Sequence, residues 1–282
     1  MKKIRLIELF SGIGSQATAL TRLGYDFEHY KTSEWEINAV ASYKAIHCEN
    51  NKKDYSNNYN NEQLIDKLYN LGISTDGKKP LSKDQIKRKS ESWKRTVFNN
   101  FKATNNIGSI VNAKGKDLEI IDTDIYTYLL TYSFPCQDLS VAGKGKGMAK
   151  GSGTRSGMLW EVERLLTETE NLPQILLMEN VPQVHSKKNI TDFEKWIQFL
   201  ESKGYKNFWK DLNSKDYNVA QNRSRTFMVS LLDQSFFNFP NPIELTKTMR
   251  DYLELKVDDK YYINNDKTKA LIKKLFINGD LT

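Results

Sequence analysis

Apolar residues in this chain gather in short runs that alternate with stretches of helical spacing. Ile4–Phe10 (IRLIELF) has the length of a strand, Ser11-Gly12-Ile13-Gly14 reads as a turn, and Ala17, Ala19, Leu20 and Leu23 then recur at helical spacing up to Gly24. Phe27–Thr32 predicts a second strand, and Glu36–His47 a second helix with Ile37, Val40, Ala41 and Ala45 on one face. Further along, Ile125–Ser133 and Gln174–Val181 read as buried strands, and Met158–Leu166 and Ile190–Ser202 as amphipathic helices. Phe208–Leu212 and Arg225–Leu232 predict an antiparallel pair at a sheet edge. The alternation implies an α/β fold, with a mostly parallel, Rossmann-like sheet, helices on both faces and ligands at the carboxyl ends of the strands.

Two stretches break the pattern. Glu49–Gln63, rich in Asn, Lys and Tyr and poor in aliphatics, predicts a surface excursion that opens an insertion over about residues 50–106. Within it, Lys78–Lys102 holds nine basic and two acidic residues and so carries the whole net charge of +7. Such a segment, with Trp93 and Phe98, suits a polyanion such as nucleic acid, and equally a Lys-rich solvated helix. Gly143–Arg155 holds five of the fifteen glycines and four basic residues, so a mobile loop is expected there.

Composition narrows the class. A chain of 282 residues, 39% hydrophobic and 11% aromatic, has the material for a large core, which excludes disordered and fibrous proteins. No apolar run approaches the roughly 18 residues of a membrane span, and the opening Met-Lys-Lys-Ile-Arg lacks a signal-peptide core, so a cytoplasmic protein is expected, without membrane association. Cys48 and Cys136 lie far apart and without metal-ligand spacing; neither a disulfide framework nor a metal site is expected.

The unusual residues fall at strand ends. The Gly12-Ile13-Gly14 turn, with Ala17 at the third position of a dinucleotide fingerprint, can bring backbone amides to a ligand, and Glu34 about twenty residues on can accept both ribose hydroxyls of an adenosine cofactor, with Trp35 as a flat face for adenine. A tight turn and an ordinary surface acid are the plainer alternative. Cys136, in Pro-Cys-Gln after a buried strand and ahead of a basic glycine loop, is a candidate nucleophile, whereas Cys48 reads as a small helix residue. Glu179-Asn180 ends another strand and offers a carboxyl in an apolar setting, either as an acid or as a structural buried glutamate. In Gln221-Asn222-Arg223-Ser224-Arg225, alternation places Gln221, Arg223 and Arg225 on one face.

In this order, Glu8-Leu9-Phe10-Ser11-Gly12-Ile13-Gly14, Glu34-Trp35, Phe134-Pro135-Cys136-Gln137, Glu179-Asn180-Val181 and Gln221 to Arg225 resemble the motif series of the DNA cytosine-5 methyltransferases, and Arg155 to Trp160 is similar to the family's segment after the catalytic loop. The resemblance spans residues 4 to about 232. It implies a Rossmann-like S-adenosylmethionine-dependent methyltransferase fold and methyl transfer to carbon 5 of a flipped cytosine in double-stranded DNA. By the same resemblance Cys136, Glu179, Arg223 and Arg225 would be catalytic. The cofactor would lie along Phe10, Gly12, Ile13, Gly14, Glu34, Trp35, Ser109, Ile110, Pro135 and Leu159. Asn180 would hold the Pro135-Cys136 turn, and Gly143–Arg155 would close over the DNA.

The departures are informative. Glu8 stands where the family usually has Asp, Ser15 where it has a second glycine, and Ser109 where an Asp would meet the adenine amine, which predicts weaker cofactor affinity. The expected domains are a catalytic domain over 1–240 and a linker, or the start of a truncated recognition region, over 241–282. The family's target-recognition region is not recognisable there. A split enzyme is therefore expected, a heterodimer whose second polypeptide supplies that region, of the kind found in restriction-modification systems. A non-catalytic DNA-associated relic, a tRNA cytosine methyltransferase and a nicotinamide-dependent oxidoreductase are the alternatives.

Overall fold

The computed structural model describes residues 2–139, 146–233 and 235–279, in two compact units: residues 1–213 with 223–241, and residues 214–222 with 242–282. The first is built on a six-stranded sheet of order β2-β1-β3-β4-β6-β5. Its strands are β1 (Lys3–Leu9), β2 (Phe27–Ser33), β3 (Tyr126–Tyr132), β4 (Ile175–Asn180), β5 (Lys206–Asn213) and β6 (Ser224–Leu231). Pairing is parallel from β2 through β4, and β6 runs antiparallel to both β4 and β5. The expected α/β class and antiparallel edge pair are what the structure has. Successive strand residues point to opposite faces, so the burial of all four of Leu6, Ile7, Glu8 and Leu9 means that both faces of β1 are covered.

The helices are α1 (Ser15–Arg22), α2 (Ile37–His47), α3 (Asn61–Asn70), α4 (Lys83–Lys87), α5 (Glu91–Ala103), α6 (Leu159–Glu168), α7 (Ile190–Ser202) and α8 (Asp266–Ile277). The main core joins β1, β3 and β4 to α6 and α7, with Tyr128, Tyr132 and Trp196 wholly buried. The Trp196 indole donates to the Tyr132 hydroxyl at 3.1 Å, which satisfies a buried polar pair.

The insertion is more than a surface excursion. Its helices α3, α4 and α5 bury Leu64, Leu68, Ile86, Val97, Phe98 and Phe101 against Val40 of α2 in a second apolar core. Asn60, Ser82 and Ser90 cap the three helices, which sharpens their starts. Lys94 of the basic stretch is itself buried, donating Nζ to the carbonyls of Lys89 at 2.9 Å and Lys87 at 3.5 Å, the orphan acceptors that end α4.

In the second unit, Ser214–Asn222 joins the C-terminal stretch, although the sequence places it within residues 1–240. Tyr217 bridges to Ile243, and the Asn218 side chain accepts from the amides of Thr246 and Lys247. Asn265 caps α8. No helix among the described residues is long and apolar enough to cross a membrane.

If the insertion core is integral to the fold, Phe98→Ala should destabilise the whole protein by about 3–5 kcal/mol, the cost of emptying a well-packed aromatic site. Thermal melts of the full chain followed by circular dichroism will read this as a lowered single transition.

Candidate active site

The strand order reverses at β1: the chain moves from β1 to β2 on one side and then places β3 on the other. A crevice opens at the carboxyl ends on either side of such a reversal. Here it is a cleft of about 590 Å³ whose walls come from the ends of β1 (Phe10), β2 (Glu34, Trp35), β3 (Pro135, Cys136) and β4 (Glu179).

Alternate residues of the turn after β1 are left-handed: Phe10 has φ 56°, Gly12 φ 51° and Gly14 φ 84°. Gly14 caps α1 without a side chain, and the carboxylate of Glu8, inside the sheet, accepts the Ala17 amide of that helix at 3.2 Å. The Tyr43 hydroxyl donates to the other oxygen of Glu8 at 2.6 Å. Burial nevertheless dominates and pushes the Glu8 pKa up to about 7. The longer side chain in the usual Asp position thus serves the turn from below.

Glu34 anchors the opposite wall. One carboxylate oxygen accepts the amides of Trp35 (2.8 Å) and Glu36 (2.9 Å), and the other accepts Gly12 N at 3.1 Å, so the acid ties the ends of β1 and β2 together. Burial raises its pKa while these amides oppose the rise. The Asn106 side chain accepts from Gly108 N (2.7 Å) and Glu34 N (3.3 Å), which brings the next segment alongside. Gly108, at φ 85°, passes so close to the Leu71 carbonyl that a Cβ would sit 2.3 Å from its oxygen. That close approach delivers Ser109 and Ile110 to the cleft wall.

At the ends of β3 and β4 the backbone around Cys136 is pinned. Asn180 donates Nδ2 to the Phe134 carbonyl at 2.9 Å, and the Ser156 hydroxyl donates to the Pro135 carbonyl at 2.7 Å. Asp138 accepts the Arg155 amide at 2.7 Å, and the Arg155 guanidinium donates to Gln137 at 2.6 Å. Cys136 is half-buried and lines the cleft. Glu179 beside it meets two guanidinium groups, with Arg225 Nε at 3.1 Å and Arg223 Nη2 at 3.5 Å. This corrects the expected apolar setting: β6 runs antiparallel, so its first residues arrive at the rim where β4 ends.

Phe10, Glu34, Trp35, Ser109, Ile110, Pro135, Cys136, Glu179, Arg223 and Arg225 therefore share one cleft. Gly12, Ile13 and Gly14 lie in the turn behind Phe10, and Leu159 is fully buried one residue past the wall residue Met158. Gln221 and Asn222 belong to the second unit. Residues 143–145 of the glycine-rich loop lie outside the described residues. Among wall residues that sequence reasoning missed, Gly77 and Lys78 come from the insertion. Their turn is held to the end of β2, where Ser74 N donates to the Trp35 carbonyl at 2.7 Å and Ile37 N to the Ser74 carbonyl at 3.0 Å. An Asp-Gly pair two residues after a buried serine was the available signal.

Burying Glu8 has a pH consequence. A pKa raised in the fold from 4.5 to about 7 corresponds to roughly 3 kcal/mol of stability that is present below pH ~4.5 and lost as the pH climbs through 7. Glu8→Gln should flatten that decline, so the variant melts at or above the wild type at pH 8 and below it at pH 5; parallel melting curves across this range would count against the assignment.

Comparison with known proteins places the chain in a family. Residues 4–73 and 71–276 match the model of the family described as C-5 cytosine-specific DNA methylase. The chain is 39% identical to the orphan methyltransferase M.SssI of Spiroplasma monobiae, over 99% of this chain and 74% of the relative. It is 36% identical to the type II methyltransferase M2.ScrFI of Lactococcus lactis subsp. cremoris, over 93% of this chain and 71% of the relative. The crystal structure of the S. pombe Dnmt2 methyltransferase shares the fold at a TM-score of 0.60 and 18% identity, covering 97% of this chain and 66% of that one. With a matching model over nearly all of its length, the chain belongs to the C-5 cytosine-specific DNA methylases.

Proposed function

We propose that this chain transfers a methyl group from S-adenosylmethionine to carbon 5 of cytosine in double-stranded DNA, through a transient bond between Cys136 and the base. The observation that carries the reading is the convergence of Cys136, Glu179, Arg223 and Arg225 in the same cleft as Phe10, Glu34 and Trp35. The second group fits an adenosyl cofactor: the half-buried Glu34 carboxylate, already aligned by three amides, keeps one acceptor site, on the oxygen bound to Gly12 N, for a ribose hydroxyl, and Trp35, Phe10 and Ile110 supply apolar walls for a purine. Held there, S-adenosylmethionine would supply a methyl group made electrophilic by its sulfonium.

Carbon 5 of a stacked cytosine is a weak nucleophile, so the base must leave the helix and be activated. The Cys136 thiolate sulfur forms a bond to carbon 6, the 5,6 π pair becomes the 4,5 double bond of an enamine, and the 3,4 π pair moves onto nitrogen 3. The Glu179 carboxyl delivers a proton to nitrogen 3, where negative charge would otherwise build, and takes it back when the 5,6 double bond is restored, while Arg225 and Arg223 keep that carboxyl in place. Once carbon 5 carries the methyl group, its proton passes to water and the carbon–sulfur electron pair returns to sulfur, freeing Cys136. Asn180 and Ser156, which hold the carbonyls of Phe134 and Pro135, fix the direction of attack.

Readout of the DNA sequence needs side chains at base edges in the major groove. As part of the same proposal, that task falls to a target-recognition region on a second polypeptide.

The test is a gel assay of covalent complexes with duplex DNA containing 5-fluorocytosine, S-adenosylmethionine and the target-recognition region. The wild-type chain should be trapped and Cys136→Ser should not; an untrapped wild type overturns the reading. Glu179→Gln should lower methyl transfer by about 10²-fold or more, the usual worth of a placed acid, with cofactor affinity unchanged.

A further inference from the structure

A side-chain cluster that no step of this chemistry uses shapes the turn between Phe10 and Gly14. On α2, Tyr43 and His47 are four residues apart and so project from one face. Tyr43 is 1% exposed and His47 is half-buried, and their rings pack 4.6 Å apart. His47 Nε2 lies 3.1 Å from the carbonyl oxygen of Ile13. A carbonyl only accepts, so this nitrogen carries the ring hydrogen and donates it. The same two rings fill the space where Gly14 lacks a side chain: a Cβ there would fall 2.4 Å from His47 Nε2 and 2.7 Å from Tyr43 Cε2.

Tyr43 is held in turn. Its hydroxyl hydrogen goes to Glu8 at 2.6 Å, which leaves its oxygen to accept from His29 Nδ1 at 3.0 Å. The His29 ring also lies 5.3 Å from that of His47. The face of α2 is thereby tied to β1 through Glu8 and to β2 through His29, and His47 is the point where this framework meets the turn.

The turn needs such support. Three of its five residues are left-handed and two are glycines, the conformation and residue type that lose most freedom on ordering. Its own backbone holds it with Gly14 N to the Ser11 carbonyl at 2.9 Å and Ser11 N to the Ser33 carbonyl at 3.2 Å. The Ile13 carbonyl is gripped by His47.

We propose that His47, seated on Tyr43, is a positioning residue for the cofactor: by holding the Ile13 carbonyl and packing on Gly14 it keeps the Phe10–Gly14 backbone in the shape that S-adenosylmethionine meets. The inference rests on the cofactor reading above. His47 is not among the residues that line the cleft, so it acts through the turn. Its effect is preorganisation, which appears in cofactor affinity and leaves the bond-making steps at Cys136 alone.

The experiment is calorimetric titration of the full chain with S-adenosylmethionine and with its demethylated product S-adenosylhomocysteine, for wild type, His47→Ala and His47→Gln, with cofactor-free melts of each. Loss of the hydrogen bond and its packing should weaken both ligands about 10-fold in His47→Ala. His47→Gln, whose amide can donate to the same carbonyl, should recover most of that loss. With saturating cofactor, kcat should stay within about two-fold of wild type, because the reacting groups are untouched. Equal affinities in wild type and His47→Ala overturn the inference and leave the functional reading standing, as does a His47→Gln no better than His47→Ala. A wild-type chain that binds neither ligand overturns both.

Discussion

The site depends on the polarity of one hydrogen-bonded ladder. β4 pairs with β3 in parallel and with β6 in antiparallel, Asn180 standing opposite Thr226 and Glu179 opposite Phe227. Had β6 been parallel, its first residues would lie at the far edge of the sheet, and no guanidinium would reach the end of β4. Because it is antiparallel, Arg223 and Arg225, one strand period apart, both arrive at Glu179, while β3 brings Cys136 to the same rim. Arginine suits this place: its planar fork stays charged and fixes a direction as well as a distance.

Around that rim the protein buries carboxyl groups and then satisfies them locally. Glu8 and Glu34 are both raised by burial, and each is held by the backbone amides of a neighbouring loop or helix. Glu34 ties the ends of β1 and β2 together and Glu8 ties β1 to α1 and α2, so their hydrogen bonds offset part of the desolvation cost and also set the cleft's geometry. Glu34 accepts the Gly12 amide of the Phe10–Gly14 turn, and Glu8 accepts from Tyr43, whose ring lies against Gly14.

Much of this was legible in the sequence because strand ends carry their chemistry as contiguous motifs. Each element of the β-α-β opening, the two buried strands β3 and β4 and the Pro-Cys-Gln and Glu-Asn-Val corners fits within ten residues, the range over which periodicity and turn chemistry speak. The insertion core was not legible, since its apolar residues are spread thinly over three helices and find their partner in Val40, far back in the chain. Nor were the guanidinium partners of Glu179, which depend on strand pairing across more than forty residues, or the Asp76-Gly77-Lys78 turn, which enters the cleft wall only because Ser74 pairs with the end of β2.

The basic stretch shows how charge counted along a chain differs from charge offered to a partner. Lys94 is buried as a helix cap, and Arg95 is bound to Glu91 while bracing the Ser56 and Tyr59 carbonyls. Lys83 pairs with Asp66 at 2.5 Å, and Lys89 and Lys102 lie over the rings of Trp93 and Phe98. Lys78 faces the cleft. A polyanion pulls on cations that are free to trade water for phosphate, and a cation already spent on carbonyls, carboxylates or rings gains little by the exchange. At least two of the charges, those of Lys94 and Arg95, therefore serve the fold of the insertion, and through the core beneath α2 they support the helix that carries Tyr43 and His47.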